Sequence, residues 1–137
     1  MARIIGIDYG ERYVGFAVSD ENELIASPLF EIDLRKKSFL KTLKNLIEEY
    51  KPSIIVFGEP RSLSGKRLKL SGKIREQGEK IKKKFKIDVV YWDEWYTSKL
   101  AEKHKKTNVH TISAAYILQN YLDFKYNEKI TSQKKTS

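Results

Sequence analysis

Arg3-Ile4-Ile5-Gly6-Ile7-Asp8-Tyr9-Gly10-Glu11-Arg12-Tyr13-Val14-Gly15-Phe16-Ala17-Val18-Ser19 reads as two apolar strands, Arg3–Asp8 and Tyr13–Ser19, folded back on one another across a short polar turn. Working outward, Asp20-Glu21-Asn22 forms a second turn into a third strand near Leu29–Ile32. Phe39, Leu40, Leu43, Leu46, Ile47 and Tyr50 then recur at helical spacing, and Pro52 closes that helix. Ile54-Ile55-Val56-Phe57 has the continuous apolar character of a buried parallel strand. A polar, basic loop is expected from Glu59 to about Ser71, followed by a helix with Ile74, Ile81 and Phe85 on one narrow face. Val89–Trp92 is a further buried strand, and a short helix begins near Thr97 or Ser98. A last helix runs from about Asn108 to Tyr126.

The order is β-β-β-α-β-α-β-α-α. The first three strands form an antiparallel unit (β1-β2-β3), and the strand–helix alternation that follows implies parallel strands β4 and β5 joined by crossovers. The expected fold is α/β, a mixed sheet flanked by helices. Residues 1–126 form a single domain, and the polar, lysine-rich segment 127–137 is a disordered tail. At 137 residues such a domain buries a sufficient core without staples. The absence of cysteine excludes disulfide frameworks, thiolate zinc sites and cysteine nucleophiles. No apolar run approaches a membrane span, and an acid at position 8 is too early for a secretory signal, so a cytoplasmic protein with no membrane partner is expected.

Lysine and arginine number 27 against 18 acids, a net charge of +9. A field of that sign favours polyanions. The lysine and glutamate richness, with one Met and no Cys, also fits a thermophile, but heat adaptation does not require so large an imbalance.

In sheets of this type ligands gather beyond the carboxyl ends of the strands. Those ends offer Asp8, Glu59 and Asp93-Glu94. Clustered carboxylates in a basic surround suit Mg²⁺ or Mn²⁺ acting on phosphate. His110 stands at the first turn of the last helix, at the top of the stripe formed with Ala114, Ile117 and Tyr121, where a capping or core-edge histidine is the commoner reading. His104 reads as solvent-facing. Arg61, Lys66, Arg67, Lys69, Lys73 and Arg75 follow one another without an intervening acid, as a phosphate-backbone clamp would. Lys80, Lys82, Lys83 and Lys84 read as a solvated face.

Gly6-Ile7-Asp8-Tyr9-Gly10 with Arg12 and Val14-Gly15-Phe16-Ala17 is a more specific pattern. Together with Phe57-Gly58-Glu59-Pro60, Ser64-Gly65, Trp92-Asp93-Glu94 and Ile112-Ser113-Ala114-Ala115-Tyr116-Ile117-Leu118, it resembles the YqgF/RuvX family from about Arg3 to Leu122. These are small RNase-H-like proteins described as Holliday-junction resolvases and as nucleases maturing the 5′ end of pre-16S ribosomal RNA. The resemblance implies an RNase-H-like mixed sheet and a divalent metal site (Mg²⁺ or Mn²⁺), with Asp8 and Glu94 as catalytic and metal-binding acids. It departs from the family pattern at three positions. Trp95 replaces an arginine, Glu59 replaces a non-acidic residue, and His110 stands where the family has its third acid. His110 is taken as the third catalytic and metal ligand, with Glu59 or Asp93 as alternative sources of the missing charge.

Nucleic acid is therefore the expected partner, held by Arg12, Arg61, Lys66, Arg67, Lys69 and Lys73. Precursor rRNA and branched DNA both present backbone and shape, and the sequence does not choose between them. Two other readings remain. One is a degenerate relative that binds without cutting. The other is an actin-like ATPase or sugar kinase, which would need two lobes where this chain has one. No long apolar surface helix declares a dimer, so a monomer or weak homodimer is expected.

Overall fold

Alternation along the first two strands sets the layers. The computed structural model describes residues 2–60, 65–94 and 109–136, with the backbone alone at 65–67, 94 and 132–136. Its elements are β1 (Ile4–Tyr9), β2 (Tyr13–Ser19), β3 (Ala26–Asp33), α1 (Phe39–Tyr50), β4 (Ile54–Pro60), α2 (Gly65–Phe85), β5 (Asp88–Glu94) and α3 (Val109–Thr136). The strands form one sheet in the order β3-β2-β1-β4-β5. β1 pairs antiparallel with β2, and β2 with β3, whereas β4 lies parallel to β1 and β5 parallel to β4. This is the expected mixed sheet.

Both faces of the central strands are buried. Ile5, Ile7, Val14, Phe16 and Phe57 pack with Phe39, Leu43 and Leu46 of α1 and Ile74 and Ile81 of α2. Ile4, Ala17 and Val56 pack on the other face with Ala114, Ile117, Leu118 and Leu122 of α3. Among the described residues the layers are three, with α1 and α2 on one side of the sheet and α3 on the other. α3 lies close to the sheet because β1 and β2 carry glycine beneath it. A Cβ at Gly6 would stand 2.7 Å from the Leu118 Cβ.

α1 forms as its periodicity predicts. Ser38 caps it by accepting from Lys41 N, and Lys51 ends it in a left-handed conformation, donating its N–H to the Ile47 carbonyl.

Three boundaries differ from expectation. β3 begins at Ala26, ahead of the expected Leu29, because Pro28 is tolerated on an edge strand and the register shifts between Phe16 and Ala17 to accommodate the chain. α2 begins at Gly65, so Lys66, Arg67 and Lys69 belong to a helix where a loop through Ser71 was expected. Lysine, arginine and leucine are good helix formers, and each of the two interior glycines fits its place. Nothing lies within 4 Å of a Cβ at Gly72, while at Gly78 the Tyr91 hydroxyl occupies that space. α3 continues to Thr136, ten residues beyond the expected end at Tyr126. The segment past Tyr126 contains neither Gly nor Pro to break the helix, and Thr131 Oγ1 bonds back to the Asn127 carbonyl at 2.9 Å. Arg61, His104 and the short helix expected near residue 97 lie outside the described residues. Among the described residues no helix is long and apolar enough to cross a membrane.

Candidate active site

Asp8 is the penultimate residue of β1, and 8% of it is exposed. Its neighbours across the sheet follow from the register. Asp8 pairs with Gly15 of β2, and Gly15 with Glu31 of β3. The three positions form one row on the face covered by α3. A Cβ at Gly15 would fall 2.1 Å from the His110 carbonyl carbon, so the missing side chain is what lets the first turn of α3 settle onto this row.

Two acids hold that turn. Glu31 Oε1 accepts a hydrogen bond from the His110 backbone N–H at 3.1 Å, satisfying an otherwise orphan donor and placing negative charge at the helix N-terminus. Asp8 Oδ2 lies 2.9 Å from His110 Nδ1. With the proton on Nδ1, the imidazole donates to Asp8, and its Nε2 carries the ring's lone pair. Asp8 Oδ1 accepts no hydrogen bond among the described residues. The His110 ring edge also rests on Gly10, where a Cβ would stand 2.7 Å from Cε1. A carboxylate and an imidazole thus stand together at the rim, donor types that suit a divalent cation accepting mixed oxygen and nitrogen ligands. Among the described residues no three acids or histidines stand close enough to form a complete metal cage.

Glu94, the other acid implied by resemblance, is the last residue of β5, paired in register with Pro60. Its side chain lies outside the described part of the structure. The two alternative acids are on the wrong face. Glu59 shares the alternation of Phe57, which packs toward α2, and its carboxylate is taken by α2: Arg75 donates through Nε at 2.6 Å and Nη2 at 2.8 Å, and Ser71 through Oγ at 3.0 Å. Asp93 shares the alternation of Tyr91, whose ring underlies the Arg75 guanidinium at 3.9 Å. Neither supplies charge beside Asp8 and His110.

The Arg75 hydrogen bonds hold the Glu59 carboxyl below the usual glutamate range. A lowered folded-state pKa stabilises the protein above the unfolded value and loses that stabilisation as pH falls through the folded one. Glu59→Gln is therefore expected to flatten the acid limb of the melting-temperature profile below pH ~4.3. An unchanged acid limb in thermal melts of the variant would show that the pair does not couple folding to pH.

The predicted nucleic-acid contacts are dispersed. Arg12 lies in the β1–β2 turn, with its guanidinium 3.0 Å from Asp33 Oδ2 and stacked over Tyr13. Lys69 and Lys73 are exposed on the first half of α2, and Lys66 and Arg67 occupy its first turn. Arg75 is committed to Glu59. Sequence reasoning missed Glu31 and the exposed run Arg35-Lys36-Lys37 that follows β3. The one sequence signal for Glu31 is an acid set between Phe30 and Ile32 within the stretch Leu29–Ile32.

Comparisons with known proteins bear on the family and the fold. A family profile described as RuvX, Holliday junction resolvase, matches residues 2–124. A protein of Caldicellulosiruptor bescii named "Putative pre-16S rRNA nuclease" is 36% identical over 137 residues, covering 91% of this chain and 98% of its own. One of the same name from Sulfurihydrogenibium sp. is 37% identical over 133 residues, covering 90% of this chain and 91% of its own. Among solved structures, T. thermophilus RuvC in complex with Holliday junction substrate superposes with a TM-score of 0.58 at 11% identity, covering 92% of this chain and 96% of that one. Fowlpox virus resolvase with substrate Holliday junction DNA gives 0.58 at 13% identity, covering 88% and 97%. At such identities the likeness is one of fold.

Proposed function

The chain belongs to the RuvX Holliday junction resolvase family, and from that premise we propose that it is a divalent-metal-dependent nuclease that cuts phosphodiester bonds in structured nucleic acid, with the 5′ end of pre-16S rRNA as its substrate. The observation that carries this reading is the Asp8–His110 pair at the strand-end rim, a carboxylate oxygen and a ring nitrogen 2.9 Å apart. The names of relatives alignable over nine-tenths of the chain support the choice of substrate.

Asp8, His110 and Glu94 would hold the cation. When bound, it would stabilise charge on the phosphate oxygens and lower the pKa of a coordinated water. The chain's own work is positional. Asp8 fixes the His110 ring through Nδ1, Glu31 fixes the backbone that carries His110, and the net positive charge of +9 draws the polyanion in. A second reading, cleavage of branched DNA, is favoured by the family description and by the junction-bound structures of the same fold. Cleavage assays on precursor rRNA and on four-way DNA junctions, with and without Mg²⁺ or Mn²⁺, separate the two. Cutting of neither by folded protein would leave a binding protein that has lost catalysis.

His110 makes the metal preference testable. A neutral imidazole in place of a carboxylate removes one negative charge from the ligand set and suits Mn²⁺ better than Mg²⁺. Cleavage is expected to be faster with Mn²⁺. His110→Asp should preserve or raise the Mg²⁺-dependent rate, and His110→Ala should abolish cleavage with either ion. Wild-type rates for His110→Ala in both metals would exclude it as a ligand.

A further inference from the structure

The turn between β3 and α1 is built to hold three cations at the same rim as Asp8. β3 runs antiparallel to β2, and β2 to β1, so β3 and β1 point the same way and both end at this rim. Their axes lie two strand spacings apart, about 10 Å. The chain leaves β3 through Asp33 and turns tightly. Lys36 N and Lys37 N both donate to the Asp33 carbonyl at 2.9 Å, and Arg35 N donates to Asp33 Oδ1 at 3.0 Å.

The neighbouring β1–β2 turn fastens this one. Leu34 N donates to the Arg12 carbonyl at 2.7 Å, and the Arg12 guanidinium grips Asp33. That hydrogen bond holds the Asp33 carboxyl below the usual aspartate range, so it stays ionised and neutralises Arg12. Arg35, Lys36 and Lys37 are all exposed, and among the described residues none of the three forms a salt bridge; the charge of Lys36 reaches Asp33, which Arg12 already grips. Elsewhere the lysine charge is partly compensated, as in the Lys80–Glu76 and Lys82–Glu79 pairs of α2.

We propose that Arg35-Lys36-Lys37 is a phosphate-backbone footing for the substrate, on the opposite side of Asp8 from the basic first half of α2. The inference rests on the nuclease reading, because it places a nucleic acid across this rim. Strand order puts the footing beyond β2 and β1 on one flank, and Lys69 and Lys73 of α2 with β4 and β5 on the other. A backbone crossing the rim is then gripped on both sides of the carboxylate, and the footing holds a phosphate beside the scissile one. Such contacts position the substrate and carry no base specificity. The pinned turn lets the three cations bind without ordering a loop first.

The test is the salt dependence of binding to a labelled RNA hairpin without divalent metal, so that no cutting enters. Each phosphate contact contributes roughly 0.7 to 0.9 to the log–log slope. The Arg35→Ala/Lys36→Ala/Lys37→Ala variant is expected to bind the hairpin at least tenfold more weakly at about 50 mM salt, with the slope flattened by roughly two units. A charge-matched control, Lys80→Ala/Lys83→Ala/Lys84→Ala, removes three cations from the far end of α2 and should lose less than half as much. Equal losses in the two variants, or wild-type binding by the first, would overturn the footing. A first variant weakened on phosphatidylserine vesicles but not on the hairpin would do the same. If wild type binds with the expected slopes yet never cuts when metal is added, the footing stands and the nuclease reading falls.

Discussion

Asp8→Asn is expected to lower the rate of phosphodiester cleavage by about 10³-fold, the loss of several kcal/mol of charge stabilisation, while the sheet stays folded. The asparagine side chain has the same shape, and its carbonyl oxygen can still accept from His110 Nδ1, now 2.9 Å from Asp8 Oδ2. What disappears is the negative charge at a nearly buried position between Gly15 and the β4 end, where no acid from the α2 face can substitute. Glu59 is bound by Arg75 and Ser71 on the far side of the sheet. Single-turnover cleavage with Mn²⁺, set beside a melting curve, reads the two effects separately. A folded Asp8→Asn protein that cuts at the wild-type rate would remove this site from the chemistry.

Asp8 was legible because an apolar strand that stops on an acid before Tyr9-Gly10 is a local pattern. Its companions were less so. Which of two consecutive residues at a strand end shares a face with Asp8 depends on the register between strands. Phe57 aligns with Ile7 and with Tyr91, and that alignment sends Glu59 and Asp93 to the α2 side. Register is a tertiary quantity that neither composition nor spacing encodes. Glu31 was hidden for the same reason, since only its pairing with Gly15 places it in the Asp8 row. The α2 boundary failed differently. A run of Lys and Arg punctuated by Gly65 and Gly72 looks like a loop, but those cations are good helix formers, and packing of Ile74 and Ile81 against the core extends the helix back to Gly65. The hydrophobic stripe of α1 and the two opening strands needed no such information, because their own periodicity fixed which side faces inward.

Gly15→Ala is expected to destabilise the protein by about 3 kcal/mol, the upper range for overpacking, and to abolish cleavage even in the molecules that remain folded. The added Cβ would lie 2.1 Å from both the His110 carbonyl carbon and oxygen and 2.5 Å from Thr111 N. These are backbone atoms of the first turn of α3, so no side chain can rotate aside and the turn must lift from the sheet. Lifting it strains the Glu31–His110 hydrogen bond and the Asp8–His110 contact together, which couples folding and chemistry at one position. Gly72→Ala is the matched control. Nothing lies within 4 Å of that position, so the substitution should stabilise α2 by roughly 0.5 to 1 kcal/mol through backbone entropy and leave cleavage unchanged. Denaturant melts of both variants give the stabilities, and cleavage assayed well below the lowered melting temperature of Gly15→Ala isolates the site from global unfolding. If folded Gly15→Ala protein retains wild-type cleavage, the seat of α3 on the Asp8 row is not what assembles the active site.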